Sequence, residues 1–214
     1  MRSFSARVDA DIAEFLGVLL GDGCISRFVY RGKEIFEVAF TGNLAEVGYY
    51  RDFLKPVVEG RFPVKGRLWV RDDNTVRLHF RSKRLSAHLL SLGLPLGKKK
   101  DASIPPSVIG NRLIIPFIRG FYHAEGSIYY RYSKRYSHHA KHYNNLLVIQ
   151  FRCKLKTLML QLHHAVERLG FGPTRVGEAD GVYTFRLANQ QQIRRFIQVV
   201  RPRYKAAPKT GASL

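Results

Sequence analysis

The chain has 214 residues, 45% of them hydrophobic, and carries 36 Lys+Arg against 16 Asp+Glu, a formal net charge of +20 at pH 7. That suits one sizeable domain or two small ones, with no apolar run near the roughly 20 residues of a membrane span. The charge exceeds what solubility needs and points to a polyanion as partner, while Cys24 and Cys153, far apart and without metal-type spacing, favour a reducing compartment over a disulfide scaffold.

Met1–Val8 reads as a short basic arm without the apolar core of a secretory signal. Asp11, followed three residues later by Glu14, predicts a capping box that opens a helix over Ile12–Gly21. Its apolar positions run nearly all round, so this helix should be buried. Ile35–Thr41 alternates, with Phe36, Val38 and Phe40 on one face and Glu37, Ala39 and Thr41 on the other. Arg31-Gly32-Lys33 is the turn before it. Leu44–Val58 returns to helical spacing, although Gly48 and Pro56 obscure its ends.

Arg67–Arg71 is a strand with Arg67, Trp69 and Arg71 on one face. After the turn at Asp72-Asp73-Asn74, Val76–Arg81 puts Arg77, His79 and Arg81 opposite Val76, Leu78 and Phe80. These two strands predict a hairpin with one apolar and one basic face. A short helix over Leu85–Leu92 ends at Gly93, and Gly97-Lys98-Lys99-Lys100 follows. Asp101–Pro116, with its several prolines, reads as a linker, and Pro116 as the first residue of the next helix.

The second part repeats the first. Gly126–Asn145 is rich in Tyr, His and basic residues, among them Tyr129, Arg131, Lys134 and Arg135. It reads as a long hairpin, a mobile phosphate-binding loop or a histidine metal site. Leu147–Lys154 is a strand with Gln150, Arg152 and Lys154 on one face. A helix over Leu155–Leu169, a strand over Val182–Leu187 with Arg186 outward, and a helix over Gln190–Val200 complete the repeat. Ala206–Leu214 reads as a disordered tail. Phe40 corresponds to Phe151, Phe80 to Phe185, and Pro95 with Lys98 to Pro202 with Lys205.

Two stretches organise the doubling: Phe15-Leu16-Gly17-Val18-Leu19-Leu20-Gly21-Asp22-Gly23 and Ile118-Arg119-Gly120-Phe121-Tyr122-His123-Ala124-Glu125-Gly126. Gly17 with Gly21, and Gly120 with Ala124, put two small residues on one helix face, so two backbones can approach closely. Each stretch ends in an acid and a glycine at a helix C-terminus, where the partial negative charge disfavours a carboxylate. An acid held there calls for a compensating cation.

These stretches resemble the two motif copies of single-chain LAGLIDADG homing endonucleases, and the chain is similar to archaeal intron-encoded members. Asp22 and Glu125 match the metal-binding acid, Gly17 and Gly120 the third position, and Gly23 and Gly126 the ninth; Leu20, His123 and Gly21 depart from the pattern. The resemblance covers roughly residues 9 to 206. It implies an α+β fold of two pseudo-symmetric αββαββα halves, residues 1–104 and 105–214. Each half is then a four-stranded antiparallel sheet with helices on one face, and the motif helices pack at the interface. It also implies a monomeric enzyme on a long double-stranded DNA site.

With the motif helices packed together, Asp22 and Glu125 stay ionised side by side only with a cation between them. Mg2+, or Mn2+, is the hard ion of choice, with the carbonyls of Gly21 and Ala124 as further ligands. The expected chemistry is metal-assisted hydrolysis of one phosphodiester per strand. Lys98 and Lys205 are the expected basic active-site residues, with Lys99 or Lys100 able to replace Lys98. Arg31, Lys33, Arg67, Trp69, Arg71, Arg77, His79, Arg81, Tyr129, Arg131, Lys134, Arg135, Gln150, Arg152, Lys154 and Arg186 are expected to meet DNA, since a two-stranded ribbon fits the ~12 Å major groove. An RNA maturase, with intron RNA as partner, or a non-cleaving DNA regulator of the same fold stands as the alternative. The expected location is the cytoplasm, on the nucleoid, with organelle and nucleus left open.

Overall fold

Ile12 through Leu20 are all buried, as a helix that is apolar on every side requires. This helix, α1, spans Ala10–Gly21, and its N-cap is Asp9, whose carboxylate accepts the Ile12 N–H at 2.9 Å. The capping box expected at Asp11 and Glu14 does not form. Arg61 draws Asp9 and Asp11 outward with ion pairs of 2.7 and 3.1 Å, and Glu14 turns into the interior. The computed structural model describes residues 7–110, 112–133 and 142–205. The start of the basic arm, Lys134 and Arg135, the centre of the Tyr/His-rich stretch, and the tail from Ala206 lie outside the described residues.

The chain divides into two compact units, Met1–Ala124 and Glu125–Leu214. In the first, α1 leads into β1 (Gly23–Tyr30) and β2 (Lys33–Asn43). Arg31 and Gly32, both at positive φ (50° and 72°), make the two-residue turn between them. Residues 44–59 form α2, which runs through Pro56. Proline has no N–H to give and its ring crowds the carbonyl four residues back. The helix widens to accommodate it: Tyr50–Leu54 is a π-turn, closed by the Lys55 N–H on Tyr50 O. Then come β3 (Gly66–Val70), β4 (Thr75–Arg81) and α3 (Lys83–Ser91), whose N-cap Ser82 accepts the Leu85 N–H. The linker contains a short helix, α4 (Pro106–Gly110). The second motif helix, α5, spans Ile114–Glu125. It starts before Pro116, which the first turn tolerates because those N–H groups lack helical partners anyway.

The second unit contains β5 (Gly126–Ser133), β6 (His142–Cys153), α6 (Lys156–Arg168), β7 (Gly177–Ala179), β8 (Val182–Leu187) and α7 (Gln190–Val200). Both sheets are antiparallel and four-stranded, in the orders β1-β2-β4-β3 and β5-β6-β8-β7. The repeat extends to register: Gly23 opposes Phe40, and Gly126 opposes Phe151. The sequence correspondence slips on the next strand. Phe40 opposes Leu78 while Phe151 opposes Phe185, so Leu78, not Phe80, is the counterpart of Phe185. Alternation alone cannot see a shift of two, because it leaves every side chain on its original face.

Each sheet buries one face. In the first unit Phe15, Phe40 and Tyr50 meet edge to face at 5.4 and 6.3 Å. In the second, Phe151 stacks on Phe185 at 4.9 Å and meets the Phe196 edge at 6.0 Å. Such ring pairs add about 0.5–1.5 kcal/mol each beyond the area they bury. No helix among the described residues is long and apolar enough to cross a membrane.

Candidate functional site

Helices α1 and α5 touch backbone to backbone. A Cβ at Gly17 would lie 2.7 Å from Phe121 N and closer still to Phe117 O; one at Gly120 would strike Glu14 O, with Val18 N at 3.0 Å. No other residue fits either position. This contact joins α5, as far as Ala124, to the first unit. Beside the crossing lies Glu14, fully buried. Its two carboxylate oxygens accept from Tyr49 Oη at 2.9 Å and Arg119 Nη1 at 3.0 Å. A buried carboxylate costs several kcal/mol unless paired in this way, so this network ties α2 and α5 to α1. His123, also buried, lies 4.6 Å from the Tyr49 ring.

α1 ends at Asp22, its C-cap, in right-handed conformation with the cap N–H on Val18 and Leu19 carbonyls. No basic residue occupies the last turn of the helix. The compensating cation arrives from far along the chain: Lys99 Nζ donates to the carbonyls of Leu19 (3.3 Å), Leu20 (2.9 Å) and Gly21 (2.5 Å). Lys98 and Lys100 are exposed. It is thus Lys99, not Lys98, that reaches the end of α1.

Tyr50 is 1% exposed, and its hydroxyl finds no hydrogen-bond partner among the described residues. Burial, reinforced by the charges of Asp22 and Glu46, pushes its ionisation far above the ordinary tyrosine range. The hydroxyl lies against Gly42, where any Cβ would collide with it. An orphaned buried hydroxyl within the electrostatic reach of the Asp22 and Glu46 carboxylates is an oxygen-rich setting of the kind a hard divalent ion takes. Among the described residues no group of three or more His, Cys, Asp or Glu is arranged to hold a metal, so an ion here draws on main-chain oxygen as well. In the second motif Glu125 is the last residue of α5, and Lys205 Nζ donates to Gly126 O at 3.4 Å within its own unit.

The outward sheet faces hold most of the residues expected to meet DNA. Arg31, Lys33, Arg67, Trp69, Arg71 and Arg81 are exposed and Arg77 is half-buried in the first unit; Arg131, Arg152, Lys154 and Arg186 are exposed and Tyr129 and Gln150 half-buried in the second. His79 is the correction. It is on the expected face but only 2% exposed, sealed by the Trp69 ring at 4.6 Å and bonded to Glu37 at 2.6 Å. In the second unit Gln150 Oε1 accepts from Tyr129 Oη at 2.7 Å and Arg186 Nε at 3.2 Å.

Sequence reasoning missed Glu14, Glu37, Tyr49 and Tyr50. Glu14 did carry a signal, as the lone acid inside an all-apolar helix. Glu37 did too, as the only acid on the outward face of its strand. Neither burial nor partner could be read from spacing.

No protein-family model and no curated protein matches the chain. Solved structures do. Mesophilic variants of the homing endonuclease I-DmoI are 20% identical, matching over 89% of this chain and 94% of theirs with a TM-score of 0.63. I-DmoI in complex with DNA and Mn gives 21%, 89%, 96% and 0.61. The LAGLIDADG meganuclease I-AabMI bound to uncleaved DNA gives 15%, 88%, 84% and 0.55. The fold of this chain is that of the LAGLIDADG homing endonucleases.

Proposed function

We propose that the chain is a site-specific double-strand DNA endonuclease, dependent on Mg2+ or Mn2+ and acting as a monomer on a long duplex site. One observation carries the reading. Two helices cross through Gly17 and Gly120, and at the same remove beyond each glycine the chain places a single acid, Asp22 or Glu125. The +20 charge and the cationic outer sheet faces supply the polyanion-binding surface that such a nuclease needs. Solved structures of this fold include one in complex with DNA and Mn.

In this reading Asp22 and Glu125 each give a carboxylate to divalent metal, and the carbonyls of Gly21 and Ala124 add neutral oxygen. The bound ion supplies an activated water and a counter-charge for the phosphorane-like transition state. Lys99, on the end of α1, and Lys205, beside Gly126, add positive charge where the phosphate becomes more negative. The Tyr50 hydroxyl, kept protonated by burial, is a donor available to oxygen near Asp22. Neither Cys24 nor Cys153 is in a disulfide, which suits a protein of the reducing cytoplasm, bound to the nucleoid.

The test is incubation with Mg2+ and a plasmid library of randomised sites, followed by sequencing of cut ends, repeated with Asp22→Asn. Specific double-strand cuts abolished by the substitution support the nuclease. Tight, specific binding without cutting in the native chain would replace it by a maturase or regulator.

A further inference from the structure

A carboxylate in the middle of a DNA-facing cationic sheet needs a reason, since it repels phosphate and costs free energy to bury. Glu37 is such a group. It lies on β2 on the outward face, yet its side chain is only 5% exposed. Oε1 accepts Arg77 Nη2 at 2.7 Å; Oε2 accepts Arg81 Nε at 3.2 Å and meets His79 Nδ1 at 2.6 Å. The arginine side chains themselves remain 36% and 51% exposed. One buried acid thus holds Arg81 through its inner Nε and Arg77 through one terminal Nη, while both side chains stay partly open to solvent.

We infer that Glu37 is a positioning residue for base reading, fixing the guanidinium planes of Arg77 and Arg81 before DNA arrives. This rests on the DNA-binding reading above. Arg81 is bonded through Nε, so both terminal Nη groups of its fork stay available, which is the geometry that pairs with guanine O6 and N7. Arg77 is bonded through one Nη and keeps the other. An arginine already ordered loses less conformational entropy on binding and tolerates fewer wrong acceptors. Trp69 covers His79, and His79 backs the carboxylate, so the anchor itself is shielded from solvent.

The test exploits two effects of opposite sign. Glu37→Gln keeps the shape but removes a negative charge from the DNA face. Duplexes selected from a random library by the native chain serve as the specific probe, and poly(dI-dC) as the non-specific one. Specific affinity should fall about tenfold, with relaxed base preference at the pair read by Arg81. Affinity for poly(dI-dC) should rise, with its log–log salt slope steeper by about 0.9. In the free protein the Arg81 Nε–H order parameter should fall below about 0.6. Arg81→Gln should relax the same base pair.

Stronger binding to both probes would overturn the inference, since Glu37 would then only repel phosphate. Weaker binding to both, with a lowered melting temperature, would overturn it too, making Glu37 a structural residue. So would relaxation at different base pairs in the two variants. If the native chain prefers no duplex, the DNA-binding reading fails instead, and the Arg81 order measurement still decides whether Glu37 fixes the arginine.

Discussion

Gly120→Ala should weaken the protein although alanine is the better helix former. The added Cβ would strike Glu14 O and lie 2.8 Å from Glu14 C and 3.0 Å from Val18 N, all main-chain atoms that cannot rotate away. Ordinary contact begins near 3.4 Å, so the helices must separate. A gap on the order of 0.5–1 Å forfeits a quarter to a half of the dispersion energy of each contact across the crossing. Overpacking of this kind costs about 1–3 kcal/mol, and rigid obstruction favours the upper end. Replacing glycine in a helix returns about 1 kcal/mol. The expected net loss is roughly 2 kcal/mol, or a melting temperature lower by about 4–8 °C for a chain of this size. Circular dichroism melts and urea titrations measure both. Gly110→Ala is the control, because nothing lies within 4 Å of its Cβ position. If Gly120→Ala melts at or above the native temperature, the close-packed crossing is not what the glycine is for.

Lys99→Met should lose the three carbonyl contacts at the end of α1, at a cost of about 0.3–2 kcal/mol, and depress plasmid cleavage. Lys98→Met, at an exposed position, should leave melting unchanged; the reverse pattern would reassign the lysine. Tyr50→Phe should stabilise by about 1 kcal/mol, since it removes a buried hydroxyl with no partner among the described residues, and should slow cleavage if that hydroxyl serves the reaction. Urea midpoints and single-turnover rates separate the two effects. Burial would raise the Glu37 carboxyl, but hydrogen bonds from His79 and Arg81 and the charges of His79 and Arg77 outweigh it and hold it below its ordinary 4.5. As pH falls the unfolded chain takes up that proton first, so the stabilisation is complete above the ordinary value and lost on the way down to the folded one. Urea midpoints between about pH 5 and 3 should therefore fall less steeply for Glu37→Gln than for the native chain; equal slopes would refute the assignment.

Periodicity made most of the architecture legible. Buried α1, a turn at Arg31-Gly32-Lys33, of which Lys33 proves to open the next strand, and the basic outer faces each follow from local pattern. What failed was non-local. The run Lys98-Lys99-Lys100 offers three equivalent charges, and only the course of the chain after Leu94 decides which one reaches α1. Asp11 and Glu14 satisfy a capping pattern, but Arg61, distant in sequence, competes for Asp11, and the helix crossing claims Glu14. The helix expected over Leu44–Val58 does run through Pro56, but the π-turn that lets it do so is a tertiary solution that no local signal announces. His79 reads as exposed because alternation reports which face a side chain takes, not what lies on top of it.

The two sheets hold their arginines with different chemistry: a charged carboxylate in the first, the neutral oxygen of Gln150 in the second. Strand register places Val148 where the first sheet has Glu37. A homodimer built from one such unit would be bound to palindromic sequences, because identical surfaces demand identical half-sites. Carrying both units on one polypeptide lifts that constraint, and divergence at this position is its visible trace. Under the proposed function each surface can then drift with its own half of a target, so an asymmetric site could change one side at a time without losing the other.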